Sequence, residues 1–270
     1  MKYSDVALFS DLDGTLFDSQ TQVSARNRAA IRRLCDQGGI FGISTGRGPI
    51  NAKKMLPGVQ LNSWSVVLNG AEAFHYANNT IAAATYLEKV TAGALMRWVI
   101  QEHPEVNIML CGEDKLFFPS DPDYENRWFV DAHQPMDIIS MEDAAQYPWL
   151  KIIFCAPRPT LEKIQAHGAQ IGAEDVMKSV YTSPVYLEYM PPNVNKGICL
   201  HRLRAQPNMQ GKTIFAIGDY TNDLELLQEA DIAIAVANAL PEVKAAADYV
   251  ICSNDEDAIA YLIDVLIPEM

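Results

Sequence analysis

The sequence predicts an α/β fold in which a Rossmann-like, doubly wound parallel sheet forms the core and an α+β domain is inserted into it. Short apolar runs that end in polar or glycine clusters recur near both ends of the chain, at residues 6–9, 40–43, 65–68, 213–217 and 232–236. Continuous apolar runs of this length are typical of strands that are buried on both faces, as in parallel sheets.

The first two runs are joined by a predicted helix. Ser24 is a suitable N-cap, Ala29, Ile31 and Leu34 recur near helical spacing, and the pair Gly38-Gly39 ends the pattern. Strand, helix and strand at this spacing form a βαβ unit, and its repetition favours a doubly wound core.

The middle of the chain has a different character and predicts the inserted domain. We expect helices at residues 92–102 and 160–166 and strands at residues 107–110 and 150–155, joined by connections rich in proline and aromatic residues. The predicted boundaries are residues 1–86 and 185–270 for the core and 87–184 for the insertion.

Charge and cysteine content exclude several classes of protein. The net charge of −13 is unfavourable for binding nucleic acid or an anionic membrane. The five cysteines are scattered and form no CxxC pair, which favours a reducing cytoplasm over a disulfide framework or a zinc site. We see neither a signal peptide nor an apolar stretch long enough to span a membrane.

Acidic residues follow two of the predicted core strands. Asp11-Leu12-Asp13-Gly14-Thr15 comes after the first run, and Gly218-Asp219-Tyr220-Thr221-Asn222-Asp223 comes after the run at 213–217. Open α/β sheets hold their ligands at the carboxyl ends of strands. Two carboxylates beside a glycine bend can divide nucleophilic attack and proton transfer between them, and the second pair offers oxygen ligands for Mg²⁺.

Each acidic cluster alone also fits a simpler interpretation. Acidic residues and glycine are common in turns, and Thr221 or Asn222 could be an ordinary helix N-cap. A calcium-binding EF-hand loop is disfavoured, because such a loop has its glycine at the sixth position and Gly14 stands at the fourth.

Two further clusters are ambiguous on their own. Ser44-Thr45-Gly46-Arg47 could hold phosphate oxygens or cap a helix, and with Gly42 it also matches the GxSxG nucleophile elbow of serine hydrolases. Lys196 opens a predicted helix, where its charge opposes the helix dipole. It is either a solvated surface residue or part of a site that binds an anion.

In order along the chain, these four clusters are similar to the four motifs of the haloacid dehalogenase-like (HAD) superfamily. The finer pattern resembles its Cof-type sugar-phosphatase branch, which carries a large α/β cap of the C2 type. The segments that carry this second resemblance are Asn69-Gly70-Ala71, Leu187-Glu188-Tyr189-Met190, Ala237-Asn238-Ala239, Ala247-Asp248-Tyr249-Val250 and Ser253-Asn254-Asp255-Glu256-Asp257. Val236-Ala237 departs from the Met-Gly or Met-Asp common before that asparagine.

The resemblance implies a Mg²⁺-dependent phosphatase of small phosphomonoesters that works through an aspartyl-phosphate. By analogy, Asp11 is the nucleophile and Asp13 the general acid and base. The implied metal ligands are Asp11, the backbone carbonyl of Asp13 and Asp219, while Asp223 would either hold that loop or reach the metal through a water molecule. The implied phosphate-binding residues are Thr45, Gly46, Arg47, Lys196 and Asn222.

The substrate and some alternatives stay open. Sugar phosphates are the default class, and nucleotide or cofactor phosphates are also possible. Tyr181, Tyr186 and His133 are candidate substrate contacts, although each also fits a simple packing or loop role. A phosphomutase-like phosphotransferase, a non-catalytic phosphometabolite sensor and a serine hydrolase using Ser44 are the rival functions. The expected partners are a small phosphate ester and, at most, a few copies of the same chain.

Overall fold

The computed structural model describes residues 1–113, 116–119 and 136–270, and this part of the chain divides into two compact units. The first unit consists of Met1–Ala83 and Asn195–Met270, and the second of Ala84–Val194. The return to the first unit thus lies later in the chain than residue 185. The reason is that the strand Tyr186–Met190 pairs antiparallel with two strands of the second unit.

The N-terminal segment of the first unit alternates strands and helices. Its elements are β1 (Val6–Ser10), α1 (Ala25–Asp36), β2 (Ile40–Ile43), α2 (Pro49–Met55), β3 (Trp64–Val67), β4 (Glu72–His75) and β5 (Thr80–Ala84). The predicted cap of α1 is present, since the hydroxyl of Ser24 accepts a hydrogen bond from the backbone N–H of Asn27 at 3.0 Å.

The second unit contains a mixed sheet and several helices. Its elements are α3 (Lys89–Glu102), β6 (Asn107–Cys111), β7 (Leu116–Phe118), β8 (Met136–Ile138), α4 (Met141–Ala144), β9 (Lys151–Cys155), α5 (Arg158–Gln170), α6 (Ala173–Val176), β10 (Lys178–Ser183) and β11 (Tyr186–Met190). The strand order is β10-β11-β9-β6-β7-β8. All four elements predicted here exist, with α5 longer than expected.

The C-terminal segment returns to the first unit. Its elements are α7 (Lys196–Arg204), β12 (Thr213–Gly218), α8 (Leu224–Glu229), β13 (Ile232–Ala235), α9 (Pro241–Ala246), β14 (Tyr249–Val250), α10 (Ala258–Tyr261) and α11 (Ile267–Glu269). A wider helical turn, Leu262–Leu266, joins the last two helices.

The five-stranded sheet of the first unit has the order β14-β13-β12-β1-β2, and every neighbouring pair is parallel. All five residues of β1 are buried. The reversal of strand order between β1 and β12 places the carboxyl ends of these two strands side by side, where the crevice of an open α/β sheet forms. The predicted α/β fold with an inserted α+β domain is confirmed.

One predicted core strand belongs elsewhere. The run at 65–68 becomes β3, which pairs antiparallel with β4 in a separate sheet of order β3-β4-β5. It lies beside β2 but is joined to it by an isolated bridge between Ser44 and Val66, and the backbone N–H of Ile43 also donates to the hydroxyl of Ser65 at 3.1 Å. An apolar run shows that a strand is buried but does not identify its partner, and here the next segment offered the shorter connection.

Charged side chains are also buried in the second unit. Lys151 on β9 and Glu188 on β11 are almost fully buried, with 3.1 Å between the Nζ of Lys151 and the Oε2 of Glu188.

Of the candidate substrate contacts, His133 lies outside the described residues, and Tyr181 donates its hydroxyl hydrogen to Gln165 at 2.9 Å. Among the described residues, no helix combines the length and apolar character needed to cross a membrane.

Candidate active site

The two predicted acidic loops meet at the carboxyl ends of β1 and β12. The backbone N–H of Asp11 donates to the carbonyl of Ile217 at 2.9 Å, which ties the start of one loop to the end of the other strand. Gly14 adopts a φ of +81°, and a Cβ there would lie 2.5 Å from the Oδ2 of Asp219. Glycine therefore permits both the bend after Asp13 and the close approach of the second loop.

Lys196 occupies the centre of the site. Its side chain is fully buried, and its Nζ donates to the Oδ1 of Asp11 and to the Oδ1 of Asp223, each at 2.6 Å. Gly197 allows the start of α7 to pack closely against α8, because a Cβ at that position would lie 2.1 Å from the carbonyl oxygen of Glu225. The lysine is thus a buried partner of two carboxylates and not a solvated surface residue.

The cluster shifts the titration of its members. Burial would lower the pKa of Lys196, but Asp11 and Asp223 outweigh it and hold that pKa above its ordinary value, so the ammonium stays charged. Burial raises the pKa of Asp11 well above that of a free aspartate, against the opposing effect of the ammonium. Burial likewise raises the pKa of Asp219 to about 6.

Asp223 has both carboxylate oxygens engaged. Its Oδ1 accepts from Lys196, and its Oδ2 accepts from the backbone N–H groups of Asp219 and Tyr220 at 3.1 and 3.2 Å. These bonds fix the turn that presents Asp219. Asp219 is held from the other side by the hydroxyl of Thr15, which donates to its Oδ1 at 2.9 Å. These hydrogen bonds favour the prediction that Asp223 holds the loop over the prediction that it reaches the metal through water.

The acidic cluster suits a hard divalent cation. Carboxylate oxygens of Asp11, Asp219 and Asp223 lie within 4.8 Å of one another. The ammonium of Lys196 bonds to two of these three carboxylates, and carboxylate oxygen atoms are the ligands that Mg²⁺ prefers. The metal-binding role predicted for Asp13 concerns its backbone carbonyl and stays a prediction.

The carboxylate of Asp13 lies apart from that cluster, at the exposed rim. It forms a bidentate ion pair in which the Nε and Nη2 of Arg47 donate to its two oxygens at 2.8 Å each. A third guanidinium nitrogen donates to Asn51 at 2.8 Å, so the fork of Arg47 is oriented from both sides. The structure thus joins two predicted site residues in a pair that the sequence did not indicate.

Thr45 and Asn222 line the neighbouring part of the site. The hydroxyl oxygen of Thr45 accepts from the backbone N–H of Arg47 at 3.1 Å, which leaves its own hydrogen to donate to a ligand. The side-chain amide of Asn222 donates to the Oδ1 of Asn69 at 3.0 Å. Gly46 passes against Asn69, since a Cβ at Gly46 would lie 3.1 Å from the amide atoms of that residue.

Comparison with known proteins places this geometry in a family. The sequence profile of the haloacid dehalogenase-like hydrolases matches residues 8–263, which is nearly the whole chain. The chain belongs to this family. The prediction that this chain belongs to the HAD-like family is therefore confirmed. The relatives that are named phosphatases support the predicted enzyme class.

Several similar proteins match this HAD chain over nearly its full length. A 5-amino-6-(5-phospho-D-ribitylamino)uracil phosphatase of Bacillus subtilis is 25% identical over 95% of this chain and 96% of its own. A haloacid dehalogenase-like hydrolase structure from Bacteroides thetaiotaomicron has a TM-score of 0.84 at 23% identity, covering 97% of this chain and 99% of its own. A HAD subclass IIB sugar phosphatase structure has a TM-score of 0.74 at 19% identity, with coverage of 96% and 98%.

Two residues of this HAD site were not predicted to act there. Asn69 holds Asn222, and the side-chain amide of Asn238 donates to the carbonyl oxygen of Gly14 at 2.7 Å. Both had been noticed only as parts of the Cof-type pattern. The usable signal for Asn69 was its position, because the pair Asn69-Gly70 follows an apolar run as the predicted site motifs do.

The serine-hydrolase alternative finds no support in the HAD site. Ser44 is fully buried, and its hydroxyl has no hydrogen-bond partner among the described residues. A catalytic serine needs an exposed Oγ within hydrogen-bond reach of a base. The GxSxG match therefore has no catalytic meaning here and reflects only that this segment lies at the end of β2, next to the site.

Proposed function

We propose that this protein is a Mg²⁺-dependent phosphatase of small phosphomonoesters that works through an aspartyl-phosphate on Asp11. The observation that carries the proposal is the fully buried Lys196, whose ammonium lies 2.6 Å from Asp11 and from Asp223, with Asp219 beside them. A carboxylate nucleophile next to a fixed cation is what transfer of a dianionic phosphoryl group requires.

In the first step, an oxygen of Asp11 attacks phosphorus in line with the leaving group. The Oδ1 of Asp11 accepts from Lys196, while its Oδ2 accepts no hydrogen bond within the described chain and is the oxygen available for attack. The new bond to phosphorus forms as the ester bond breaks, and Asp13 delivers a proton to the departing alkoxide. Thr45, Lys196 and Asn222 donate to the phosphoryl oxygens.

In the second step, water attacks phosphorus and releases Asp11 as a carboxylate. Asp13, now ionised, takes the proton from that water, which restores the enzyme and yields inorganic phosphate. Both oxygens of Asp13 accept from Arg47 in this structure. At least one of these bonds has to open before the carboxyl group can exchange a proton with substrate or water.

The donor set fits Mg²⁺ at Asp11, Asp219 and the backbone carbonyl of Asp13, with Asp223 supporting the loop. The cation would supply charge to neutralise the nucleophile and the phosphoryl oxygens. A chain of net charge −13 repels anionic substrates at long range, so it needs positive charge placed at the site itself.

The second unit is proposed as the cap that selects the leaving group, and sugar phosphates are the proposed substrate class. The names of the similar proteins support this, since they include a phosphatase of a phosphorylated ribitylamino compound and a sugar phosphatase. The five cysteines are free, which supports the proposed cytoplasmic location.

The test is phosphate release from a panel of phosphometabolites, with Mg²⁺ and with EDTA. Turnover should require the metal, and Asp11→Asn, which is nearly isosteric, should abolish it while the protein stays folded. Acid quenching with a ³²P-labelled substrate should capture phosphate on the wild-type protein and none on Asp11→Asn. Full turnover by Asp11→Asn would eliminate the covalent route. Label that passes to a second sugar in place of water would identify a phosphotransferase.

A further inference from the structure

A short turn between β3 and β4 carries an unusual backbone. Three consecutive residues have positive φ: Leu68 at 52°, Asn69 at 54° and Gly70 at 92°. Glycine accepts this conformation and asparagine tolerates it, but it is unfavourable for leucine. A strained backbone persists only where surrounding contacts determine it, and such strain is concentrated at functional sites.

The first set of contacts ties this turn to the loop after β2. The backbone N–H of Leu68 donates to the carbonyl of Arg47, and that of Asn69 donates to the carbonyl of Thr45, both at 3.0 Å. The turn therefore holds the backbone on both sides of Gly46.

The second contact joins the turn to the start of α7. A Cβ at Gly70 would lie 2.0 Å from the carbonyl oxygen of Asn195 and 3.1 Å from the backbone nitrogen of Lys196. Asn195 is itself fixed, because its side chain caps α7 by accepting from the backbone N–H of Ile198 at 2.7 Å. The turn thus abuts the residue that precedes the central lysine.

The third contact is made by the side chain of Asn69 and reaches the second acidic loop. Asn69 is 8% exposed, and its Oδ1 accepts from the amide of Asn222 at 3.0 Å. This bond uses one hydrogen of the Asn222 amide and fixes the plane of that amide. The second hydrogen remains to donate to a phosphoryl oxygen.

We infer that the turn Leu68–Gly70 is the positioning element of the phosphoryl-binding site, and that Asn69 acts by orienting the amide of Asn222. The inference rests on the proposed function, because it takes Asn222 as a phosphoryl ligand. Asn69 is a positioning residue, because it fixes the orientation of the Asn222 amide before the substrate arrives. The conformational entropy of that side chain is therefore not lost during binding.

The experiment is a double-mutant cycle between Asn69→Gly and Asn222→Ala in the full chain. Glycine keeps the left-handed backbone and removes the side-chain carboxamide, and with it the acceptor oxygen. The readouts are kcat/KM for p-nitrophenyl phosphate and the inhibition constants of inorganic phosphate and orthovanadate. Asn69→Gly should weaken both inhibitors about 2- to 10-fold, the contribution of one neutral hydrogen bond. In the Asn222→Ala background the same change should have almost no further effect.

Asn62→Ala is the matched control. Within the part of the chain that the structure describes, the side chain of Asn62 bonds only to main-chain groups of the same unit, accepting from Phe41 at 2.9 Å and donating to Gly39 at 2.8 Å. This variant should lose thermal stability and keep its inhibition constants. Melting curves of all variants separate such a loss from a loss of alignment.

The outcomes distinguish the inference from the function on which it rests. If Asn222→Ala weakens phosphate binding and Asn69→Gly costs equally in both backgrounds, or costs nothing, the positioning role is wrong while the phosphoryl site stands. If Asn222→Ala itself leaves phosphate binding unchanged, Asn222 is no phosphoryl ligand, and the inference fails together with that part of the proposed function.

Discussion

Lys196→Met removes the one cation that the structure places between Asp11 and Asp223. Methionine keeps the length and apolar stem of lysine but leaves two buried carboxylates without their 2.6 Å partner. Loss of one member of a buried ion pair destabilises by about 3–5 kcal/mol. Although two carboxylates lose their partner, we expect one such penalty and not two, because a carboxyl group that becomes too unfavourable takes up a proton.

The assay is urea denaturation at several pH values, in the absence of Mg²⁺. With a slope of about 2–3 kcal/mol per molar urea, the midpoint of the variant should fall by about 1–2 M. Burial already raises the pKa of Asp11 in the folded state, and without the ammonium nothing in the pair opposes that rise. The variant should therefore lose more stability at pH 8 than at pH 5, where Asp11 can be protonated in the folded state.

Two further variants make the reasoning specific. Lys196→Met combined with Asp223→Asn removes one uncompensated charge and should regain part of the lost stability, without regaining turnover. Lys151→Met leaves Glu188 buried without its partner in the second unit, and should lower stability while the affinity for inorganic phosphate stays unchanged. A wild-type urea midpoint for Lys196→Met, or a further loss on adding Asp223→Asn, would refute the electrostatic account.

The remaining predictions concern proton transfer and the metal. Asp13→Asn should slow hydrolysis of an alkyl phosphate by about 100- to 10,000-fold, and p-nitrophenyl phosphate by less, because its leaving group hardly needs a proton; equal losses in single-turnover phosphorylation would show that Asp13 is not the acid. The pKa of Asp219, raised to about 6 by burial, means that protons compete with Mg²⁺ at lower pH. Calorimetry should show Mg²⁺ affinity falling roughly tenfold per pH unit below that value, and constant affinity from pH 5 to 7 would contradict it.

The sequence predicted the parts of the site that depend on strand ends. Asp11, Lys196 and Asp223 come together because parallel strands and a helix start deliver them to one edge, and that follows from order along the chain. It could not predict that Lys196 is fully buried, or that Asp13 pairs with Arg47. These depend on side-chain directions and on loops whose course the apolar pattern does not describe.

The same limit explains why the run at 65–68 was assigned to the parallel sheet and why Asn69 was given no role in the site. Periodicity showed that β3 is buried, but its neighbour was decided by the short connection to β4. Asn69 has little meaning as a single residue in a sequence. Its role becomes visible only where the positive φ of the turn brings its amide to Asn222, which is distant along the chain.

The order in which the site becomes available during synthesis follows from its long sequence separations. Thr15 and Asp219 are 204 positions apart, and Lys196 and Asp11 are 185 apart. Until β12 has been synthesised, β1 can pair only with β2, whereas the second unit, Ala84–Val194, is contiguous and precedes β12 in the chain. That segment can fold first, as domains do on the ribosome. The edge of β1 that β12 will cover must meanwhile stay open, and an open edge on an apolar strand is exposed to aggregation.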